Sequence, residues 1–209
     1  PVIAVIDHTN MKSSMGNIKN LFHFANLAKT NWDEAVKLFY SKEFVSILTG
    51  VDKQYETVYR GLSKINGNEQ NVDEFLINIH KKKRTEYIPM EELIRIDAPF
   101  GVSEGKATIT RNGWGYTHLL IETDGDFITV EKEVLTDDDF LGNICSFNYR
   151  IDSAKLHAGN NYGAIIISNA NFKTRIEFQV AGEQMKSLQL GNRRKMRTLM
   201  FDLLNLYLG

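Results

Sequence analysis

Between Gly105 and Val180 the chain returns an apolar side chain to every second position, and that period restricts its fold more than any other feature. Phe172, Thr174, Ile176, Phe178 and Val180 face one way while Lys173, Arg175, Glu177 and Gln179 face the other, the pattern of a half-buried strand. Cys145, Phe147, Tyr149 and Ile151 alternate with Ser146, Asn148 and Arg150, and Ala107 and Ile109 with Lys106, Thr108 and Thr110. Runs at 92–97, 117–123, 127–132 and 162–168 bring the count to about seven short strands, which predicts an immunoglobulin-like antiparallel β-sandwich. Asn112-Gly113 and Asp124-Gly125 tolerate positive φ, so each is expected to close a hairpin, the first between Ile109 and Leu119, the second between Ile121 and Ile128. Gly159-Asn160-Asn161 and Asn169-Ala170-Asn171 are expected to serve the last two connections in the same way.

The N-terminal third has a helical period instead. Ile18, Leu21, Phe22, Ala25 and Leu27 mark one helix, which Thr30-Asn31 ends. Asn31 then caps a second, with Glu34 at the third position and Ala35, Leu38 and Phe39 as its apolar stripe. Phe44, Val45, Ile47 and Leu48 run to Gly50, Tyr55, Val58, Tyr59 and Leu62 follow, and Asn66-Gly67-Asn68 breaks the pattern before a last helix from Asn71 to His80. The Trp32, Ala35, Tyr40 pattern in paired short helices resembles a tetratricopeptide unit, but no second copy follows at a fixed period, so a small helical bundle is expected. Lys81-Lys82-Lys83-Arg84 and Pro89 then mark the junction.

The expected class is therefore α+β: a helical segment over 11–85, the sandwich over 86–182 and a C-terminal helix over 183–209. That helix carries Met196, Leu199, Met200, Leu203, Leu204 and Tyr207 behind the basic run Arg193, Arg194, Lys195 and Arg197. Its wide apolar face reads as a truncation or an oligomer contact. Residues 1–10 read as a strand-like extension: a tag preceding an initiator at Met11, a strand completing a neighbouring sheet, or a peptide resembling those that form isopeptide bonds with a partner sandwich.

At 209 residues, with 43% apolar and 24% charged, the chain can bury the core of one or two domains. A net charge of -1 argues against nucleic-acid binding by bulk electrostatics, and no stretch is long and apolar enough to span a bilayer. The single cysteine excludes an internal disulfide and agrees with a reducing, cytoplasmic compartment.

Candidate chemistry is sparse. Cys145 with His118 or His157 would make a nucleophile and base, but Cys145 shares an apolar strand face and reads as a buried thiol. Asp137-Asp138-Asp139 and Asp124-Gly125-Asp126 lack calcium-loop spacing and read as turns or caps. His8, His23, His80, His118 and His157 show no zinc spacing. Lys81 to Arg84 with Arg60 reads as a solvated linker in preference to a phosphate patch. Neither a catalytic set, nor a metal, nor a cofactor is expected. What remains is a candidate binding surface: Trp114 and Tyr116 on one loop, and His157, Asn160 and Asn161 on another, able to stack and hydrogen-bond a sugar ring.

Arg111-Asn112-Gly113-Trp114-Gly115, Phe127-Ile128-Thr129-Val130, Tyr149-Arg150-Ile151-Asp152, Leu156 through Asn160 and Gly163 through Ile167 together resemble the N-terminal region of large bacterial proteins grouped as a domain of unknown function. The resemblance covers about Met11 to Gly209, carries no catalytic residues, and implies a helical segment and an immunoglobulin-like sandwich ahead of long helical-repeat regions. The sandwich is also similar to carbohydrate-associated bacterial immunoglobulin-like domains. The expected function is a non-enzymatic structural or protein-interaction module, partnered by another protein, other regions of the parent chain or a second copy of itself. A carbohydrate-binding module is the alternative, and a cysteine hydrolase a weaker third.

Overall fold

The computed structural model describes residues 18–97, 99, 101–182, 196, 197, 199 and 200. The extension expected over 1–10 lies outside the described residues. Of the C-terminal helix expected over 183–209, only Met196, Arg197, Leu199 and Met200 are described, all helical and all exposed. The described residues divide into two compact units: one holds the helices as far as Tyr87 together with Arg111–His118 and Thr136–Asn143, and the other holds Ile88–Thr110, Leu119–Leu135 and the described residues from Ile144 to Gly182.

The helical unit contains α1 (Leu21–Thr30), α2 (Trp32–Phe39), α3 (Phe44–Ile47), α4 (Lys53–Leu62) and α5 (Glu69–Asn78). Four are started by side chains that accept an orphan backbone N–H: Asn20 from His23, Asn31 from Glu34, Asp52 from Gln54 and Asn68 from Asn71, at 2.9, 3.2, 2.9 and 3.3 Å. Asn68 is the last cap, which opens α5 two residues ahead of the expected Asn71. The apolar stripes converge on aromatic rings: Phe44 meets Phe24 edge-on at 4.7 Å, and Phe39 lies 5.0 Å from Tyr59 and 5.2 Å from Phe75. The Tyr59 hydroxyl, carried into this core, donates to the Phe39 carbonyl at 3.0 Å. After α5 the N–H groups of Lys81 and Lys82 both turn back to the Leu76 carbonyl, which requires His80 to take a left-handed φ of 57°.

The strands form two sheets, and the α+β sandwich expected from the sequence is present. One sheet has the order β1-β3-β7-β5, from Glu86–Pro89, Val102–Asn112, Ile144–Asp152 and Ile128–Val130; the other has the order β2-β9-β8-β4-β6, from Leu93–Asp97, Phe172–Gly182, Gly159–Asn169, His118–Asp124 and Val134–Thr136. Among the described residues there are nine strands where about seven were expected; the added β1 and β6 are only four and three residues long. β2 pairs with β9 in parallel, from Leu93↔Glu177 to Asp97↔Ala181, so the second sheet is mixed and not wholly antiparallel.

Both hairpins expected at the glycine turns are absent. β3 pairs with β7 and β4 with β8, so the chain crosses between sheets after Asn112-Gly113, and again after Asp124-Gly125 to reach β5 on β7. The turn residues permit the reversal, but burial selects the partner: each strand pairs where its inner face meets the opposite layer. Asn169-Ala170-Asn171 does close a hairpin, with Asn169↔Phe172 ending the β8–β9 ladder. Asn161, expected in a turn, already lies within β8. The layers meet through Ile109, Phe147 and Ile151 on one side and Ile121, Ile165 and Ile176 on the other, with Tyr149 edge-on to Phe178 at 4.9 Å. Cys145 is 1% exposed within this core, the buried thiol its strand position implied.

Two stability predictions follow from the backbone. Gly105 sits opposite Tyr149, and a Cβ there would lie 2.3 Å from the phenol ring, so Gly105→Ala should cost about 1–3 kcal/mol in urea unfolding. His80→Gly removes the left-handed penalty and should raise stability by about 1 kcal/mol by the same measurement.

Candidate functional site

The segment Arg111–His118 belongs to the helical unit and is held there by a buried ion pair. Lys82 Nζ lies 2.7 Å and 2.9 Å from the two carboxylate oxygens of Asp73 on α5, with side-chain exposures of 1% and 13%. The lysine also donates to Thr85 Oγ1 at 3.2 Å and stands 5.6 Å above the Trp114 ring. Asp73 Oδ1 accepts in addition the backbone N–H of Tyr116 at 3.1 Å, which fixes the loop directly to α5. Gly115 makes that approach available: its φ is 98°, and a Cβ there would lie 2.5 Å from Asp73 Oδ1 and 3.3 Å from the Trp32 ring. Burial raises the Asp73 carboxyl above its ordinary range against the opposing pull of Lys82 and of the Tyr116 N–H.

A second network holds the other side of the segment. Arg111 donates to Thr117 Oγ1 at 3.0 Å, to the Gly142 carbonyl at 3.0 Å and to Asp137, and its guanidinium lies 4.6 Å over the Phe140 ring. The Tyr87 hydroxyl and Thr117 Oγ1 are 3.1 Å apart. Asp139 accepts the Thr136 N–H at 2.9 Å and so caps the short 3-10 helix Asp137–Asp139, the turn role expected of the acidic run.

Between these supports the unit opens a cleft of about 500 Å³. Trp32 and Tyr116 give it aromatic surface, Glu69 and Asp33 line it from the first turns of α5 and α2, and Asp137 and Asp138 line it from the 3-10 helix. Trp32 Nε1 donates to Glu69 Oε2 at 2.9 Å, and the His118 ring lies parallel to that of Tyr116 at 6.3 Å. Burial pushes the Tyr116 phenol up, so it offers a neutral hydroxyl. Among the described residues, Asp33, Glu69 and Asp138 have no basic partner. Asp33 and Glu69 sit in the first turns of α2 and α5, where the backbone N–H groups favour negative charge. Among the described residues no group of three His, Cys, Asp or Glu side chains is placed to hold a metal.

Of the residues singled out in the sequence, Tyr116 lines this cleft, whereas Trp114 packs against the helical core under Lys82. His157, Asn160 and Asn161 gather in the strand unit. Asn161 is 8% exposed and commits its amide to the chain itself: Oδ1 accepts from His157 N–H at 2.8 Å, and Nδ2 donates to the carbonyls of His157, Gly159 and Val180. His157 and Asn160 stay exposed beside it. The basic run is only in part the solvated linker expected: Lys81, Lys83, Arg84 and Arg60 are exposed, but Lys82 is not. Lys82 is buried, Arg84 forms a double ion pair with Glu74 at 2.6 and 3.0 Å, and Arg60 pairs with Glu56 within α4. Nothing in Lys81-Lys82-Lys83 distinguishes the middle lysine; the backbone turn onto Leu76 does so. Trp32, Glu69 and Asp33 carry no site signal in the sequence for a related reason: Trp32 fits a helical pattern, and Glu69 and Asp33 have an adequate local role as first-turn acids.

The chain belongs to the family of unknown function DUF5717, whose N-terminal model matches residues 1–209. No curated protein matches it. Solved structures give distant likenesses to β-sandwich regions of varied proteins. The VesB protease of Vibrio cholerae is 16% identical over 55% of this chain and 39% of that one, at a TM-score of 0.28. A FixG-related protein of Vibrio parahaemolyticus is 9% identical over 48% and 97%, at 0.32, and the endo-beta-1,4-mannanase of Thermotoga petrophila 13% identical over 55% and 24%, at 0.26. The chain thus spans about two fifths of the protease.

The ion pair sets a measurable expectation. Lys82→Met leaves Asp73 buried without its cation and should cost about 3–5 kcal/mol near neutral pH. A carboxyl whose native pKa lies above its unfolded value favours the native state while protonated and loses that advantage as pH rises through the native pKa. The deficit of Lys82→Met should therefore shrink as pH is lowered from neutrality and Asp73 takes up its proton, read by urea titration at each pH.

Proposed function

We propose that this protein is a non-enzymatic structural or protein-interaction module of a larger protein, and that it docks a protein segment in the cleft of its helical unit. The observation carrying this reading is the way the cleft is held. Tyr116 and its neighbours are fixed by a buried ion pair, two cation–aromatic contacts and an arginine network, so the surface is organised before anything binds. Trp32 and Tyr116 are residue types that supply large rigid contact area at low entropic cost. Cys145, the sole thiol, is buried at 1% exposure, which supports the non-enzymatic reading over a cysteine hydrolase.

A carbohydrate-binding module is the second reading, and one observation favours it: Trp32 and Tyr116 stand beside carboxylates, Asn31 and Thr117, groups that together stack on and hydrogen-bond a sugar. It no longer uses Trp114, whose ring carries Lys82.

Peptide display and a glycan array separate the two. Selected peptides that lose binding in Trp32→Ala and Tyr116→Ala, with circular dichroism unchanged, support docking of protein. Glycans behaving that way support the second reading, and loss of neither ligand in these variants removes the cleft from both.

A further inference from the structure

The helical unit holds two of its own cations by one device. Lys82 lies over Trp114 with Asp73 as its carboxylate, and Arg111 lies over Phe140 with Asp137 as its carboxylate. The cleft repeats the aromatic and acidic halves of that device without the cation. Trp32 is tied to Glu69 through its indole N–H, Tyr116 shares the cavity, and Glu69 and Asp138 have no basic partner among the described residues.

We infer that the cleft takes an arginine side chain of a partner protein segment, its guanidinium against the aromatic surface of Trp32 or Tyr116 and its N–H groups on Glu69 and Asp138. The inference rests on reading the cleft as a docking surface and adds the chemistry of what docks. Three physical points select arginine. The cavity is wide enough, at about 500 Å³, for a planar guanidinium and its aliphatic stem. Glu69 and Asp138, without a basic partner among the described residues, make a positive ligand complementary and an acidic one repelled. A guanidinium is less strongly hydrated than an ammonium and combines stacking with paired hydrogen bonds, as Arg111 does beside this cleft with Phe140, Asp137 and Thr117. Helix N-termini under Asp33 and Glu69 keep these acids in place without a positive side chain, leaving the cation to come from outside.

The test titrates the protein with an acetylated Gly-Arg-Gly-Arg-Gly amide, its citrulline analogue and a Gly-Glu-Gly-Glu-Gly amide, following Trp and Tyr side-chain NMR signals. The arginine peptide should shift Trp32 and Tyr116, bind at least about tenfold tighter than its neutral citrulline twin, and weaken about tenfold in Glu69→Gln with Asp138→Asn. Its affinity should also fall as salt is raised. Equal binding of arginine and citrulline peptides overturns the arginine inference and leaves the docking reading standing. No shift at Trp32 or Tyr116 with any of the three peptides overturns the inference, and docking is then judged by peptide display alone. Because Glu69 and Asp138 are exposed, the double variant is expected to fold, and a urea unfolding midpoint unchanged from the parent verifies that.

Discussion

An ammonium group taken out of water must be met by a carboxylate, and the helical unit is arranged around one such meeting. Lys82 and Asp73 are both withdrawn from solvent, and each would be expensive to bury alone. Together they leave one carboxylate oxygen able to accept the Tyr116 N–H, and the loop from Arg111 to His118 is thereby fastened to α5. The loop's features follow from that fastening: Gly115 tight against Asp73, Trp114 beneath the lysine, and Tyr116 on the cavity wall.

The same economy of means appears on the opposite side of the cleft. Arg111 is nearly buried, yet it reaches a carboxylate, a hydroxyl, a backbone carbonyl and an aromatic face. Replacing such networks with apolar packing is often tolerated for stability, so their value here lies in geometry. They hold a polar surface open and rigid, which an apolar core alone does not do. Helix N-termini beside Asp33 and Glu69 also explain how these two carboxylates line the cleft without a basic partner among the described residues: the backbone supplies the compensating partial charge.

How much of this was readable depends on whether a residue's role is local. Periods of two located seven of the nine strands, because alternation is a property of successive residues. Caps were readable at Asn31 for the same reason, and Cys145 was readable as buried because its strand face was apolar. Pairing was not. Asn112-Gly113 has the chemistry of a hairpin turn, yet β3 goes to β7 and β4 to β8, because the choice of neighbour depends on residues more than thirty positions away. Lys82 and Asp73 are nine residues apart and carry no pattern linking them; a lysine inside a basic run looks solvated until the chain turns at His80 and carries it inward. Of the candidate binding residues, Tyr116 sits on the cleft, Trp114 supports it from beneath, and Asn161 holds its own loop.

The sequence by itself determined the alternation of apolar residues, and with it a helical segment followed by a β-sandwich, since hydrophobic burial acts on periodicity and periodicity is written along the chain. Only the tertiary structure decided which strands pair, which lysine is buried and where Trp32, Glu69, Tyr116 and Asp138 meet. These are contacts between distant segments, fixed by the shape of the packed core and by the need of each buried charge for a partner, and neither leaves a local mark on the residues that take part.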